Sequence, residues 1–120
     1  MKADNQIQTA SKAFALRIIR FYKYLNEEKN IKVLSKQVLR SGTSIGANVR
    51  ESINAQSKMD FINKMNIALK EANETEYWLE LLYESDIIDK NQFESIYDDC
   101  SKLVATLTKI IKTTKANQKN

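Results

Sequence analysis

The side chains best equipped for chemistry in this 120-residue chain crowd into one segment, Arg40-Ser41-Gly42-Thr43-Ser44-Ile45-Gly46-Ala47-Asn48-Val49-Arg50-Glu51. At about 100° per residue, Arg40, Ser44, Asn48 and Glu51 fall within an arc of about 80° on one helix face, with Ser41 at its edge. A line of guanidinium, hydroxyl, amide and carboxylate groups is hydrogen-bonding equipment. Arg40 and Glu51 stand roughly 16 Å apart along the axis, too far to pair with each other. Each needs a partner from a neighbouring helix, another subunit or a ligand. A solvated face is better built from Lys, Glu and Gln. The small polar residues point instead to a packed polar interface, where buried groups must find partners.

Gly42 and Gly46 are the chain's two glycines, and both sit inside this helical segment beside its apolar stripe. Glycine costs roughly 1 kcal/mol in a helix interior, so tertiary contacts must compensate. Two uses fit: a tight helix crossing, or the floor of a ligand cleft.

Catalytic equipment is otherwise scarce. There is no histidine, and cysteine occurs once, at Cys100. That removes a histidine general base, a Cys-His pair and a conventional zinc site. Glu71, Glu74, Asp98 and Asp99 are the nearest thing to a carboxylate metal cluster, but ferritin-like sites pair Glu-x-x-His and this chain cannot. Gly42-x-x-x-Gly46 lacks the Lys-Ser/Thr of a phosphate loop. We therefore expect no enzyme, no cofactor and no metal. Cys100, between Ile96 and Leu103, reads as a core residue.

These residues must be positioned by helices. With no proline and two glycines the chain cannot supply the turns of a β-sandwich or an α/β fold, while 42% apolar and 28% charged residues are ordinary for a globular domain. Four apolar series have helical spacing. They are Ile7, Phe14, Ile18, Phe21, Leu25, widened by Ile19 and Tyr22; Leu34, Val38, Ile45, Val49, Ile53; Phe61, Met65, Ala68, Ala72, Leu79, Leu82; and Phe93, Ile96, Cys100, Leu103, Leu107, Ile110. Asp4 or a neighbour is the candidate cap of the first helix, Ser57 with Asp60 that of the third, and Asp89 with Gln92 that of the fourth. The polar tail from Thr113 is expected to fray. The expectation is one domain over residues 1–120, an all-α, antiparallel up-and-down four-helix bundle with helices at about 5–26, 32–55, 58–84 and 90–113. No apolar run is long enough to span a bilayer, Met1 is followed by a polar stretch, and a lone cysteine makes no internal disulfide. These point to a cytoplasmic protein with no membrane partner.

The segment Arg40–Glu51 closely resembles the signature of the four-helix-bundle family named for 23S rRNA intervening sequences. The run Phe61-Ile62 through Ala68-Leu69-Lys70-Glu71-Ala72-Asn73-Glu74-Thr75-Glu76-Tyr77-Trp78-Leu79 is similar to the family's second block. Ser52 departs mildly, since Gly or Ala often follows the motif glutamate. The resemblance implies an up-and-down bundle that assembles into a ring-shaped homopentamer. It also implies kinship with the accessory proteins of diversity-generating retroelements, basic pentamers that bind nucleic acid and a reverse transcriptase. Arg40, Ser44, Asn48 and Glu51 transfer as family-defining contacts, with no catalytic residue to carry over.

Charge distribution frames two functions. The net charge is +4: residues 1–50 carry ten Lys/Arg and three acids, residues 51–100 four and twelve, and residues 101–120 five and none. Lys12, Arg17, Arg20 and Lys23, with Lys102, Lys109, Lys112 and Lys115, could hold RNA or DNA phosphates, and a ring would multiply those contacts. Alternatively the protein is an interaction scaffold. Glu76, Tyr77 and Trp78 then form a subunit contact, and the glutamates of the third helix dock on a neighbour's basic face.

Overall fold

The computed structural model describes residues 2–118. Four helices carry the chain: α1 (Lys2–Lys23), α2 (Val33–Ile53), α3 (Lys58–Glu84) and α4 (Lys90–Gln118). No strand occurs among the described residues. The helices form a rod 51 × 21 × 21 Å, with each helix packed against its neighbours in the order α1, α2, α3, α4 and back to α1. Every seam is antiparallel: Ile18 meets Gly42, Ser41 meets Thr75, Glu76 meets Ser101, and Arg17 meets Asp99. This is an up-and-down bundle, built because each connection is too short to let consecutive helices run parallel.

The ends of the helices show how a glycine-poor chain turns. At the α3–α4 turn, Asp86 takes a left-handed conformation at φ 63. The Asp86 amide then donates to the Tyr83 carbonyl at 3.0 Å and the Ile87 amide to the Leu82 carbonyl at 2.9 Å, closing the helix end as glycine usually does. Asn30, at φ 58, does the same work after α1, and short polar side chains tolerate this region better than others. The α4 start carries a reciprocal box: the Gln92 amide donates to Asp89 Oδ1 at 2.8 Å and the Asp89 amide to Gln92 Oε1 at 2.9 Å. Ser57 Oγ accepts from the Asp60 amide at the start of α3.

Several boundaries and faces differ from the sequence expectation. Helix α1 begins at Lys2, so Asp4 lies inside it rather than capping it. Its far end continues through a π-helical turn, Tyr24–Glu28, which keeps Leu25 buried before the chain leaves at Asn30. Helix α4 runs to Gln118 instead of fraying at Thr113, since its polar last turns contain neither glycine nor proline to stop it. Ile111, not Ile110, closes the α4 stripe. A step of four residues from Leu107 drifts about 40°, less than the 60° of a three-residue step. Ile53 and Ile19 end on the surface.

Gly42 and Gly46 face α1. A Cβ on Gly42 would stand 2.8 Å from both Cγ atoms of the buried Ile18, and one on Gly46 would stand 3.3 Å from the Ser11 carbonyl oxygen. The space a ligand cleft would need is filled by helix. Ile18 is β-branched and cannot swing away. Gly42→Ala is accordingly expected to lose about 1–3 kcal/mol to overpacking despite its better helix propensity, whereas the exposed Asn63→Ala should be neutral or slightly stabilising. Urea melts of the two variants check this.

Candidate functional site

The polar face of α2 turns toward α3. At one end Arg40 forks between carboxylates: Nη1 lies 3.3 Å from Glu71 Oε2, and Nη2 contacts Glu74 Oε1. Gln37 Oε1 accepts from the same guanidinium at 3.3 Å. Trp78 Nε1 donates to Glu74 Oε1 at 3.2 Å, which ties the indole into the cluster. At the other end Glu51 Oε1 meets Lys64 Nζ at 3.1 Å. The two charges too distant to pair with each other therefore both find α3.

Between these ends the side chains turn inward on their own helix. Ser44 Oγ donates to the Arg40 carbonyl at 2.6 Å, and Asn48 Nδ2 donates to the Ser44 carbonyl at 2.8 Å. Both residues are half-buried and make no side-chain bond across to α3. Ser41, expected at the rim of the arc, is wholly buried. Its hydroxyl lies 2.9 Å from that of Thr75, and Thr75 Oγ1 lies 2.8 Å from the Glu71 carbonyl. This hydroxyl pair is the polar centre of the α2–α3 seam. Thr75 escaped sequence reading because a threonine in an acidic stretch looks like surface; the signal available was its place on the buried face, three residues after Ala72 and four before Leu79.

The other candidate contacts fall in different places. Glu76 faces α4, where Ser101 Oγ donates to it at 2.8 Å, so it is separated from Tyr77 and Trp78 by the turn of the helix. Tyr77 is 53% exposed, and its ring lies 5.3 Å from that of the half-buried Trp78. Glu80 accepts from Tyr97 at 2.8 Å. With Glu71 and Glu74 held by Arg40, most of the acidic row on α3 is engaged inside the chain, which weakens its use as a docking face.

Of the basic residues, Arg17 is committed to α4: Nη1 lies 2.7 Å from Asp99 Oδ2, and Nη2 donates to Ser95 Oγ at 2.6 Å. Lys102 sits 3.1 Å from Asp98 one turn back. Lys12, Arg20, Lys23, Lys109, Lys112 and Lys115 are exposed. On α1 the exposed Leu16 and Ile19 share the stripe of Lys12 and Lys23. The carboxylates Glu71, Glu74, Asp98 and Asp99 are split, Glu71 and Glu74 beside Arg40, Asp98 and Asp99 on α4 beside Lys102 and Arg17.

Cys100 is buried, its Sγ 3.4 Å from the Ala72 carbonyl oxygen. Burial, then the charges of Glu76 and Asp99, push the thiol up to about 12. Tyr97 also rises to about 12, first through its hydrogen bond to Glu80 and then by burial.

Together these features define a helical bundle whose shared polar motif locks two of its own helices while leaving a lysine-rich end exposed. A family model for the 23S rRNA-intervening sequence protein matches residues 3–109, and the chain belongs to that family. The crystal structure of a protein of unknown function from the S23 ribosomal protein family of Bacteroides thetaiotaomicron VPI-5482 is similar to it. The two are 56% identical, the match covers 92% of this chain and 98% of that one, and the TM-score is 0.90. No curated protein matches.

Two outcomes test the seams. Ser41→Ala and Thr75→Val should each cost about 1–3 kcal/mol by stranding a buried hydroxyl or leaving a gap, and the double variant less than their sum. Chemical denaturation of the four proteins measures that coupling. For Cys100 the raised value favours the neutral thiol in the fold, so its contribution to stability is complete below the ordinary value of 9.0 and is lost as pH rises toward about 12. Cys100→Ala should flatten that alkaline limb of the stability curve, and the native thiol should resist alkylation at pH 8.

Proposed function

We propose that this protein is a non-enzymatic, cytoplasmic nucleic-acid-binding protein that holds the phosphate backbone of RNA or DNA as a ring-shaped homo-oligomer. The observation that carries the reading is the C-terminal half of α4. Lys109, Lys112 and Lys115 are exposed there, and no acid follows Asp99 in the chain. Lysine is a compact point charge suited to phosphate, and the set lacks the arginine and asparagine forks that read base edges. No helix among the described residues is long and apolar enough to cross a membrane.

The ring is supported by where apolar side chains remain uncovered. Leu16, 50% exposed, is on the outer face of α1, while Ile67 and Tyr77 are on α3, the helix diagonal to it. Patches on opposite sides of a protomer suit head-to-tail contact, which closes into a ring when the rotation permits. Five copies is the number the family resemblance implies.

The exposed Tyr77 beside Trp78 favours a second reading, a protein-interaction scaffold. Its partner would be a protein, such as a reverse transcriptase if the gene belongs to a retroelement.

A salt-dependent titration separates the two. Affinity for structured RNA and duplex DNA should fall steeply from low to physiological salt, by similar factors for unrelated sequences. Lys109→Gln with Lys112→Gln should weaken all ligands alike and reduce the salt slope by about 1 per lost contact. Absence of binding to any nucleic acid at low salt leaves the scaffold as the function. Sedimentation tests assembly, and a lone monomer at tens of micromolar rejects the ring.

A further inference from the structure

At the lysine-rich end of the rod, α4 runs beside the turn that joins α2 to α3 and encloses a groove of about 800 Å³. Ile53, Phe61 and Ile110 supply its apolar wall, and Lys58 and Lys109 stand on it from two different helices. No carboxylate is among the described residues that line it. Its volume is that of a small-molecule site, about 300–1,000 Å³. The residues come together because Ile110 packs only partly against the core that Ile111 enters, and Phe61 is likewise half-buried.

We propose that this groove takes an unpaired nucleotide of a single-stranded nucleic acid, its base against Phe61 and its phosphate between Lys58 and Lys109. The inference rests on the backbone-binding reading above and adds a preference for single strands. An aromatic ring in an apolar wall accepts any base by stacking, which is tolerant of sequence. Two cations, with no carboxylate among the described lining residues, complement a phosphate. Lys112 and Lys115 continue from the groove at steps of about 4.5 Å along α4, so a chain of phosphates leaving it meets further positive charge. A lipid tail would use the apolar wall but not that row of lysines. A base held in a duplex cannot enter.

The test compares labelled 12-mers of U, dT and dA with a hairpin duplex of equal charge, by anisotropy at low salt. Single strands should bind more tightly than the duplex. Phe61→Leu should weaken single-strand binding about 5-fold or more, as loss of one stacking contact does, and duplex binding by less. Ile53→Gln, at a position 38% exposed and without added charge, should weaken single strands more than duplex if Phe61→Leu proves unfolded by circular dichroism. Lys58→Gln with Lys109→Gln should lower the single-strand salt slope by about 0.7 per contact. Equal binding of single strands and duplex, with neither groove variant having an effect, overturns the groove and leaves the backbone reading standing. No binding by any nucleic acid overturns both. A change confined to oligomeric state assigns the groove to contact between copies of the chain and overturns the proposal as well.

Discussion

Gly42 lies under Ile18 with no room for a methyl group between them, and that distance sets how near α1 can stand to α2. The rest of the bundle follows from it. With α1 seated, Gly46 comes against the Ser11 carbonyl, and Val38, Ile45 and Val49 reach the common core with the apolar residues of α1 and α3. The same segment must also meet α3, and it does so with oxygen rather than carbon: Ser41 is buried against Thr75. One helix thus presents a bare backbone to one neighbour and a hydroxyl to the next. Few residue types satisfy both demands at once, which is why this stretch has such poor intrinsic helix propensity and persists nonetheless.

The charges divide into those that hold the bundle and those that are left over. Arg40, Arg17 and Lys64 each answer a carboxylate on another helix. Such partly exposed pairs contribute little stability, commonly 0–1 kcal/mol, and their value lies in fixing how one helix slides against the next. The lysines beyond Lys102 have no acid near them in sequence, and they gather at one end of the rod, whereas the opposite end mixes Glu84, Asp86, Asp89 and Glu94 with Lys29, Lys32, Lys36 and Lys90. A molecule with that distribution concentrates its unbalanced positive charge at one end.

Much of this was legible in the order of residues. Helical spacing of apolar side chains marks all four elements, the Asp89–Gln92 pair announces the start of α4, and two glycines inside a helix signal a close neighbour. What was not legible depends on contacts across the fold. The Arg17–Asp99 pair joins residues 82 positions apart, so no local pattern points to it and Arg17 reads as free positive charge. Ser41 and Thr75 are polar in composition and buried in fact, because each satisfies the other. The π-helical turn at Tyr24–Glu28 has no sequence mark, since it arises from keeping Leu25 inside while the chain prepares to leave. The groove beside Phe61 needs the position of α4 past residue 105 relative to the α2–α3 turn, which no local spacing supplies.

The Arg17–Asp99 contact has a kinetic side. Three of the four seams join helices that follow one another along the chain, and each closes a short connection. The fourth, α1 against α4, is the sparsest and must bring together segments separated by the other two helices. The entropy of loop closure rises with the length enclosed, so this seam carries the largest such cost for the smallest return. Of the four seams it is the one expected to open at lowest free energy, with α1 parting from α4 while α2 and α3 stay joined. Since the chain holds no proline, reclosure waits on no peptide-bond isomerisation and runs at the pace of helix docking alone.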